Sequence, residues 1–154
     1  VSVLRHLKVE AVVTPHPGEM ARLTATTVEE VQDDRIRTAK EFACRWKVIT
    51  VLKGAKTVVA VPDGTVYINP TGNAGMATGG TGDVLTGIIA GLAAQGTKLG
   101  DAAVAGVYLH GLAGDCAAEE KGEHGLIAGD VLEKLPYVIR QSCAGYAGRG
   151  SGGL

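Results

Sequence analysis

Along the 154 residues, short β-branched runs alternate with longer stretches in which apolar side chains recur at helical spacing. Glu10–Thr14 (EAVVT) predicts a short strand. It is stopped by Thr14-Pro15-His16-Pro17-Gly18, where two prolines predict a stiff loop that is not helical. Val28, Val31, Ile36, Ala39 and Ala43 recur among dense charges and predict one amphipathic surface helix over Thr27–Arg45, opened by the capping-box pair Thr27 and Glu30. Val48–Leu52 (VITVL) predicts a strand buried on both faces, as in a parallel sheet. Thr57–Val61 and Thr65–Asn69 flank Pro62-Asp63-Gly64 and predict a hairpin.

Residues 70–82 (PTGNAGMATGGTG) have no apolar period and predict a glycine-rich loop. A helix then starts abruptly, with Val84, Leu85, Ile88, Ile89 and Leu92 on one face and Gly96 as its stop. Gly87 and Gly91 leave a bare stripe that predicts close approach of another backbone. Asp101–Glu120 is apolar almost all round and predicts a buried helix. Gly129–Gln141 predicts a further one, with Leu132, Leu135, Val138 and Ile139 facing inward. The segment Ala144–Leu154 (AGYAGRGSGGL) predicts a disordered tail. With neither repeats nor a linker, residues 1–143 read as one domain of strands interleaved with helices, the α/β class.

Composition narrows the function. Fifteen Lys and Arg against sixteen Asp and Glu give a net charge of -1, which lacks the basic excess of a general nucleic-acid binder. Glycine, 23 of 154 residues, is at roughly twice its usual share and marks tight backbone approaches. Cys44, Cys116 and Cys143 form no C-x-x-C and no even framework, so they read as free thiols in a reducing compartment. The most apolar stretch, Ala102–Ala118, contains His110 and Asp115 and is too weak for a membrane span. A soluble, cytoplasmic protein without nucleic-acid or membrane partners is expected.

The junction Gly79-Gly80-Thr81-Gly82-Asp83 carries the clearest chemical signal. Three glycines in four residues, directly before a helix, let several backbone N–H groups point into one concavity. The helix N-terminus adds about half a positive charge there. Such a site suits a phosphate or a transferring phosphoryl group. The same glycines could equally serve close helix–strand packing, with Asp83 a favourable first-turn carboxylate. A Walker A loop is excluded because Gly80 is followed by Thr81, not Lys. The dinucleotide fingerprint fails because Gly80-Thr81-Gly82 leads to Leu85. Asp83, beside an anion site and kept ionised by the helix dipole, is suited to accept a proton from a hydroxyl attacking a terminal phosphate.

The string Asn73–Gly91 (NAGMATGGTGDVLTGIIAG) resembles the signature of the NAD(P)H-hydrate dehydratases of the ribokinase-like superfamily. Thr14–Leu23 (TPHPGEMARL), Val51–Thr57 (VLKGAKT) and Gly106–Ala118 (GVYLHGLAGDCAA) resemble that family's other blocks, in the same order, so the resemblance spans roughly residues 11–140. It implies a ribokinase-like three-layer αβα fold. Because the family carries about as much chain again before the segment matching Val1, it also implies a C-terminal portion that is incomplete at its start. The implied reaction phosphorylates the C6 hydroxyl of (6S)-NAD(P)HX from ADP, or from ATP, and eliminates phosphate to restore NADH or NADPH. Magnesium is implied with the nucleotide, and a homo-oligomer is expected.

Carried over position by position, the resemblance makes Asp83 the catalytic base and a substrate contact, with Gly80, Thr81 and Gly82 as the anion hole. It assigns nucleotide binding to Lys53, Gly54, Ala55, Lys56 and Thr57, and to Asn73, Met76, Ala77, Thr78, Gly79 and Gly82. His16 is implied to contact the dinucleotide substrate, and Glu19 to help position a metal-bound water. No metal-ligand set is read from the chain. Taken without the resemblance, Lys53 sits at a strand's C-terminal end, where open α/β sheets bind ligands, although a solvated lysine is the commoner case. His16 stands on a rigid loop between prolines. His110 reads as a satisfied core or interface residue, His124 as part of a surface turn, and Met20 and Met76 as packing residues. The rival functions are a small-molecule kinase of the same superfamily, of hydroxyethylthiazole or pyridoxal type, and a nucleotide-sensing module without catalysis.

Overall fold

In the computed structural model of the chain, which describes residues 2–147, four strands form one sheet in the order β1 (Val12–Val13), β2 (Ile49–Leu52), β3 (Val58–Ala60) and β4 (Val66–Ile68). β1 and β2 run parallel, with Val12 opposite Ile49, whereas β2–β3 and β3–β4 are antiparallel. The sheet is therefore mixed. The hairpin expected around Pro62-Asp63-Gly64 forms β3 and β4, and the expected parallel neighbour of β2 is β1.

Between β1 and β2 the chain crosses over through α1 (Pro17–Thr24), α2 (Val28–Asp33) and α3 (Arg35–Trp46). Met20, Val31, Ala39, Phe42 and Ala43 of these helices pack on Leu52, Val58 and Ala60. On the opposite face, Ile49, Val51 and Val59 meet Leu85 and Ile89 of α4 (Thr81–Ala94), with Ala102, Ala103 and Val107 of α5 (Leu99–Lys121). Alternate β2 and β3 side chains thus feed two separate cores, which is why both strands are buried on both faces. The result is three layers, helices–sheet–helices. α6 (Ala128–Ala147) packs outside α5 through Val131, Leu135 and Val138.

Several expectations need correction. The Thr14–Gly18 segment is not loop throughout, because α1 begins at Pro17. Proline is tolerated in the first helical turn, where its missing N–H has no intrahelical partner, and His16 before it stays extended as the N-cap. The single helix expected over Thr27–Arg45 is two. Thr27 and Glu30 form the capping box of α2 as expected, but the Asp34 side chain accepts from the Arg37 amide at 2.9 Å and starts a second helix. On α6, Leu132 and Ile139 are exposed, and Val131 takes the inward position. Helix α6 runs on through Ala147, past the expected start of the tail at Ala144, and residues 148–154 lie outside the described residues. A Cβ on Gly87 or Gly91 would meet nothing within 4 Å, so no backbone among the described residues lies against that stripe.

Candidate active site at the head of α4

The carboxyl ends of β1 and β2 lie side by side, and the Lys53 amide donates to the Pro15 carbonyl at 2.8 Å. This hydrogen bond ties the loop after β2 to the start of α1. There the His16 Nδ1 accepts from the Glu19 amide at 3.2 Å, and the Glu19 carboxylate accepts from the His16 amide at 2.7 Å, a reciprocal capping box. With Nδ1 accepting, a neutral His16 ring carries its proton on Nε2. The His16 amide and the nearby Lys53 ammonium, 3.8 Å away, hold the Glu19 carboxyl below its ordinary range. Oε2 of Glu19 takes both of these contacts, and Oε1 lies 3.5 Å from the His16 Nε2. Beside them an open groove of about 520 Å³ runs along the edge strand β1, lined by Val13, Thr14, Pro15, Arg22 and Leu23 as well as Glu19.

Lys53 also faces α4, because its ammonium lies 3.2 Å from the position a Cβ on Gly82 would take. Helix α4 starts at Thr81 with Gly80 as N-cap in the left-handed region, φ 90°, and no side chain caps it. A Cβ on Gly80 would also lie 3.1 Å from the Ala128 Cβ, so the backbone favours glycine and the space beside it is tight. The Gly80 carbonyl accepts from Asp83 and Val84, and the Thr81 and Gly82 amides of the first turn have no intrahelical partner. The Asp83 carboxylate is exposed on that same turn. Gly80, Thr81, Gly82, Asp83 and Lys53 therefore share one corner.

The loop before α4 is anchored from several sides. The Thr81 hydroxyl is buried and donates to the Met76 and Thr78 carbonyls, both at 2.8 Å, so Thr81 can offer a ligand only its amide. The His110 ring on α5 bonds the Thr81 carbonyl at 2.9 Å through Nε2, and burial pushes its pKa down. Asp115 accepts from the Gly72 amide and from the Asn73 side chain, at 2.9 and 3.0 Å. The Met76 side chain fills the space beside Gly72 and Gly114, where a Cβ on Gly114 would come within 2.2 Å of its sulfur. Asn73 and Met76 thus have their side chains turned to the protein, whereas Ala77 and Gly79 are exposed.

In the other segment, Gly54, Ala55 and Lys56 are exposed and Thr57 is half-buried, its hydroxyl donating to the Gly54 carbonyl at 3.1 Å. The Asn69 amide donates to the Thr57 carbonyl at 2.9 Å and brings the two segments to one end of the sheet. Two anchors have no assigned role in the sequence reading. Asp115 falls within a block quoted for the resemblance, and Arg35 stands outside every motif. Among the described residues no group of three or more His, Cys, Asp or Glu side chains is placed to hold a metal ion. No helix among them is long and apolar enough to cross a membrane.

The profile of the NAD(P)H-hydrate dehydratase family matches residues 2–137. The chain belongs to the NAD(P)H-hydrate dehydratase family. The bifunctional NAD(P)H-hydrate repair enzyme Nnr of Moorella thermoacetica is 62% identical over 129 residues, 84% of this chain and 24% of that enzyme. The crystal structure of the ADP/ATP-dependent NAD(P)H-hydrate dehydratase of Bacillus subtilis, co-crystallised with ATP and Mg2+, matches with a TM-score of 0.82. It is 42% identical and covers 84% of this chain and 47% of that one. A ribokinase-like superfamily protein of Enterococcus faecalis matches with a TM-score of 0.70 at 36% identity, over 84% of this chain and 44% of that one. This family member therefore has the ribokinase-like α/β fold and spans a quarter to a half of the length of these relatives.

Proposed function

We propose that this dehydratase-family chain carries the nucleotide site and the catalytic base of an enzyme that converts (6S)-NAD(P)HX to NAD(P)H. ADP is the phosphoryl donor, with ATP the alternative. The observation that carries the reading is the corner where Asp83, two unpartnered amides of α4 and the Lys53 ammonium meet. Names borne by relatives, ADP/ATP-dependent NAD(P)H-hydrate dehydratase among them, supply the substrate class.

Asp83 is the proposed base. Its carboxylate accepts the proton of the C6 hydroxyl as that oxygen takes the terminal phosphoryl group. The Thr81 and Gly82 amides and the Lys53 ammonium stabilise charge on the phosphoryl oxygens. Phosphate then leaves C6 with the C–O electron pair, and a proton lost from the neighbouring C5 gives the C5–C6 double bond of NAD(P)H. Magnesium bound to the polyphosphate would offset phosphate charge. The groups that would meet the phosphates, the Thr81 and Gly82 amides and the Lys53 ammonium, are all donors, which fits a nucleotide that brings its own metal. His16 and the groove beside β1 are proposed to receive the dinucleotide. The protein is proposed to be cytoplasmic and to assemble as a homo-oligomer.

The test is recovery of NADH absorbance from hydrated NADH with magnesium and either ADP or ATP, compared with Asp83→Asn. The wild type is expected to recover NADH with at least one nucleotide. Asp83→Asn should keep its melting temperature and lose roughly 10²–10⁴-fold in kcat, the usual range for a general base. Near-normal turnover of the variant would sink the base assignment. Accumulation of a phosphorylated product without NADH would make the protein a kinase.

A further inference from the structure

Arg35, the first residue of α3, reaches across to the loop that follows β2. Its Nη2 donates to the Leu52 carbonyl at 3.0 Å and its Nη1 to the Ala55 carbonyl, so one guanidinium grips both ends of the Lys53-Gly54 step. Gly54 makes room for it, because a Cβ there would lie 2.9 Å from Nη2 and 3.1 Å from Cζ. Gly54, at φ 140°, and Lys56, at φ 53°, both hold backbone conformations that L side chains rarely adopt. A planar fork against two carbonyls is what holds such a turn in shape, and an ammonium cannot reproduce it.

The charge of Arg35 is unmatched. Among the described residues it forms no ion pair, and its Nε is buried without an acceptor. Burial lowers its pKa, yet a guanidinium stays protonated in proteins. A half-buried cation served only by carbonyls is an expensive arrangement. It lies directly under an exposed turn that already carries Lys53 and Lys56.

We propose that Arg35 is a positioning residue for the nucleotide: its fork fixes the Lys53–Thr57 turn in the shape that receives the polyphosphate, and its charge adds to the field there. The inference rests on the nucleotide-dependent reading given above. It adds to that reading a residue on α3, separated from the turn by 17 to 20 positions.

The experiment measures binding of magnesium–ADP and magnesium–ATP by calorimetry, and the dehydration kinetics, for the wild type, Arg35→Lys and Arg35→Ala. Arg35→Lys keeps the charge and loses the fork. Its nucleotide Kd and KM should rise about tenfold or more, while kcat at saturating nucleotide and KM for the hydrate stay within about threefold. Amide exchange at Gly54–Thr57 should quicken. In Arg35→Ala, guanidinium ion at millimolar concentration should restore nucleotide affinity, and ammonium should not. If Arg35→Ala does not fold, Arg35→Lys alone decides. Unchanged nucleotide affinity in Arg35→Lys overturns the inference, as does an equal loss of kcat and of both affinities with a lowered melting temperature. A wild type that binds neither nucleotide overturns the nucleotide-dependent reading and this inference together. A wild type that binds and turns over, beside an unaffected Arg35→Lys, overturns the inference alone.

Discussion

Lys53 and Gly82 meet at the head of α4: the lysine ammonium occupies space only 3.2 Å from where a Cβ on Gly82 would stand. The lysine comes from the end of β2 and the glycine from the first turn of a helix on one face of the sheet. Their contact puts a positive charge beside two amides that no other backbone group uses. Neither residue makes an anion site alone, since one lysine is a mobile point charge and one helix end is common in any protein.

Substituting Gly82 by Ala should separate this role from folding. Gly82 lies within helix α4 and outside the left-handed region, so alanine suits its backbone and should raise helix stability by up to about 1 kcal/mol. Among the described residues its only obstacle is the flexible end of Lys53, which can swing away cheaply. The variant is expected to melt at or above the wild-type temperature and to lose about tenfold or more in nucleotide-dependent turnover. Full activity would remove the Lys53–Gly82 contact from the mechanism.

Two glycines on neighbouring helices should respond to alanine with opposite signs. A Cβ on Gly111 would fall 2.2 Å from the Thr71 hydroxyl and 2.8 Å from its carbonyl carbon, so Gly111→Ala must push the 70–79 loop off α5. A loss of about 1–3 kcal/mol is expected. Gly87→Ala meets open space and should gain up to about 1 kcal/mol. Denaturant midpoints of the two variants decide it, and a gain for Gly111→Ala would contradict the observed packing of Thr71.

Which of these features the sequence displayed follows from range. The strands at Val48–Leu52 and around Pro62-Asp63-Gly64, the capping box of Thr27 and Glu30, and the abrupt start of α4 are set by neighbours within four residues, and all were legible. The start of α1 was hidden because Pro15 and Pro17 read alike in sequence, while only the second occupies the first turn of a helix. Asp34, one of many charges along Thr27–Arg45, has no local pattern showing that its side chain accepts from the Arg37 amide and opens a second helix. At the site, Asp83, Gly80 and Gly82 were legible from the glycine cluster. Arg35, gripping carbonyls 17 and 20 positions away, and Asp115, holding Gly72 across 43, had no local pattern. Met76, which the resemblance places in the nucleotide site and its own pattern among packing residues, sets its side chain against Gly72 and Gly114, a contact made by tertiary packing.

The buried carboxylate at the start of α6 should make stability fall in acid. Asp130 takes the Lys121 ammonium on one oxygen and the Ile127 amide on the other, at 3.0 Å, and the lysine contact chiefly pulls its pKa below the ordinary value. A lowered carboxyl pKa stabilises the fold above the unfolded value, about 4, and that contribution disappears as pH drops through the folded value. Lys121, raised mainly by the same hydrogen bond, contributes below the usual lysine range and loses that contribution only in strong alkali. Asp130→Asn should therefore be less stable than wild type at neutral pH, with the gap closing below about pH 4. A gap that stays constant down to pH 2 would show that charge at Asp130 is not what matters.

His16 can be asked whether it serves folding, substrate or both. Its Nδ1 caps α1 by accepting from the Glu19 amide, and its Nε2 lies 3.5 Å from the Glu19 Oε1. The half-exposed ring thus stands beside a carboxylate that lines the groove at β1. Asparagine is among the best N-cap residues, whereas alanine at an N-cap costs about 0.5–2 kcal/mol. His16→Asn should thus keep nearly all stability, and His16→Ala should lose roughly that amount. If the ring also contacts the dinucleotide, both variants should raise KM for the hydrate about tenfold at similar kcat, whatever their stability. Should His16→Asn restore both the melting temperature and KM, the ring is a cap and nothing more, and the dinucleotide must be held by other residues of the groove.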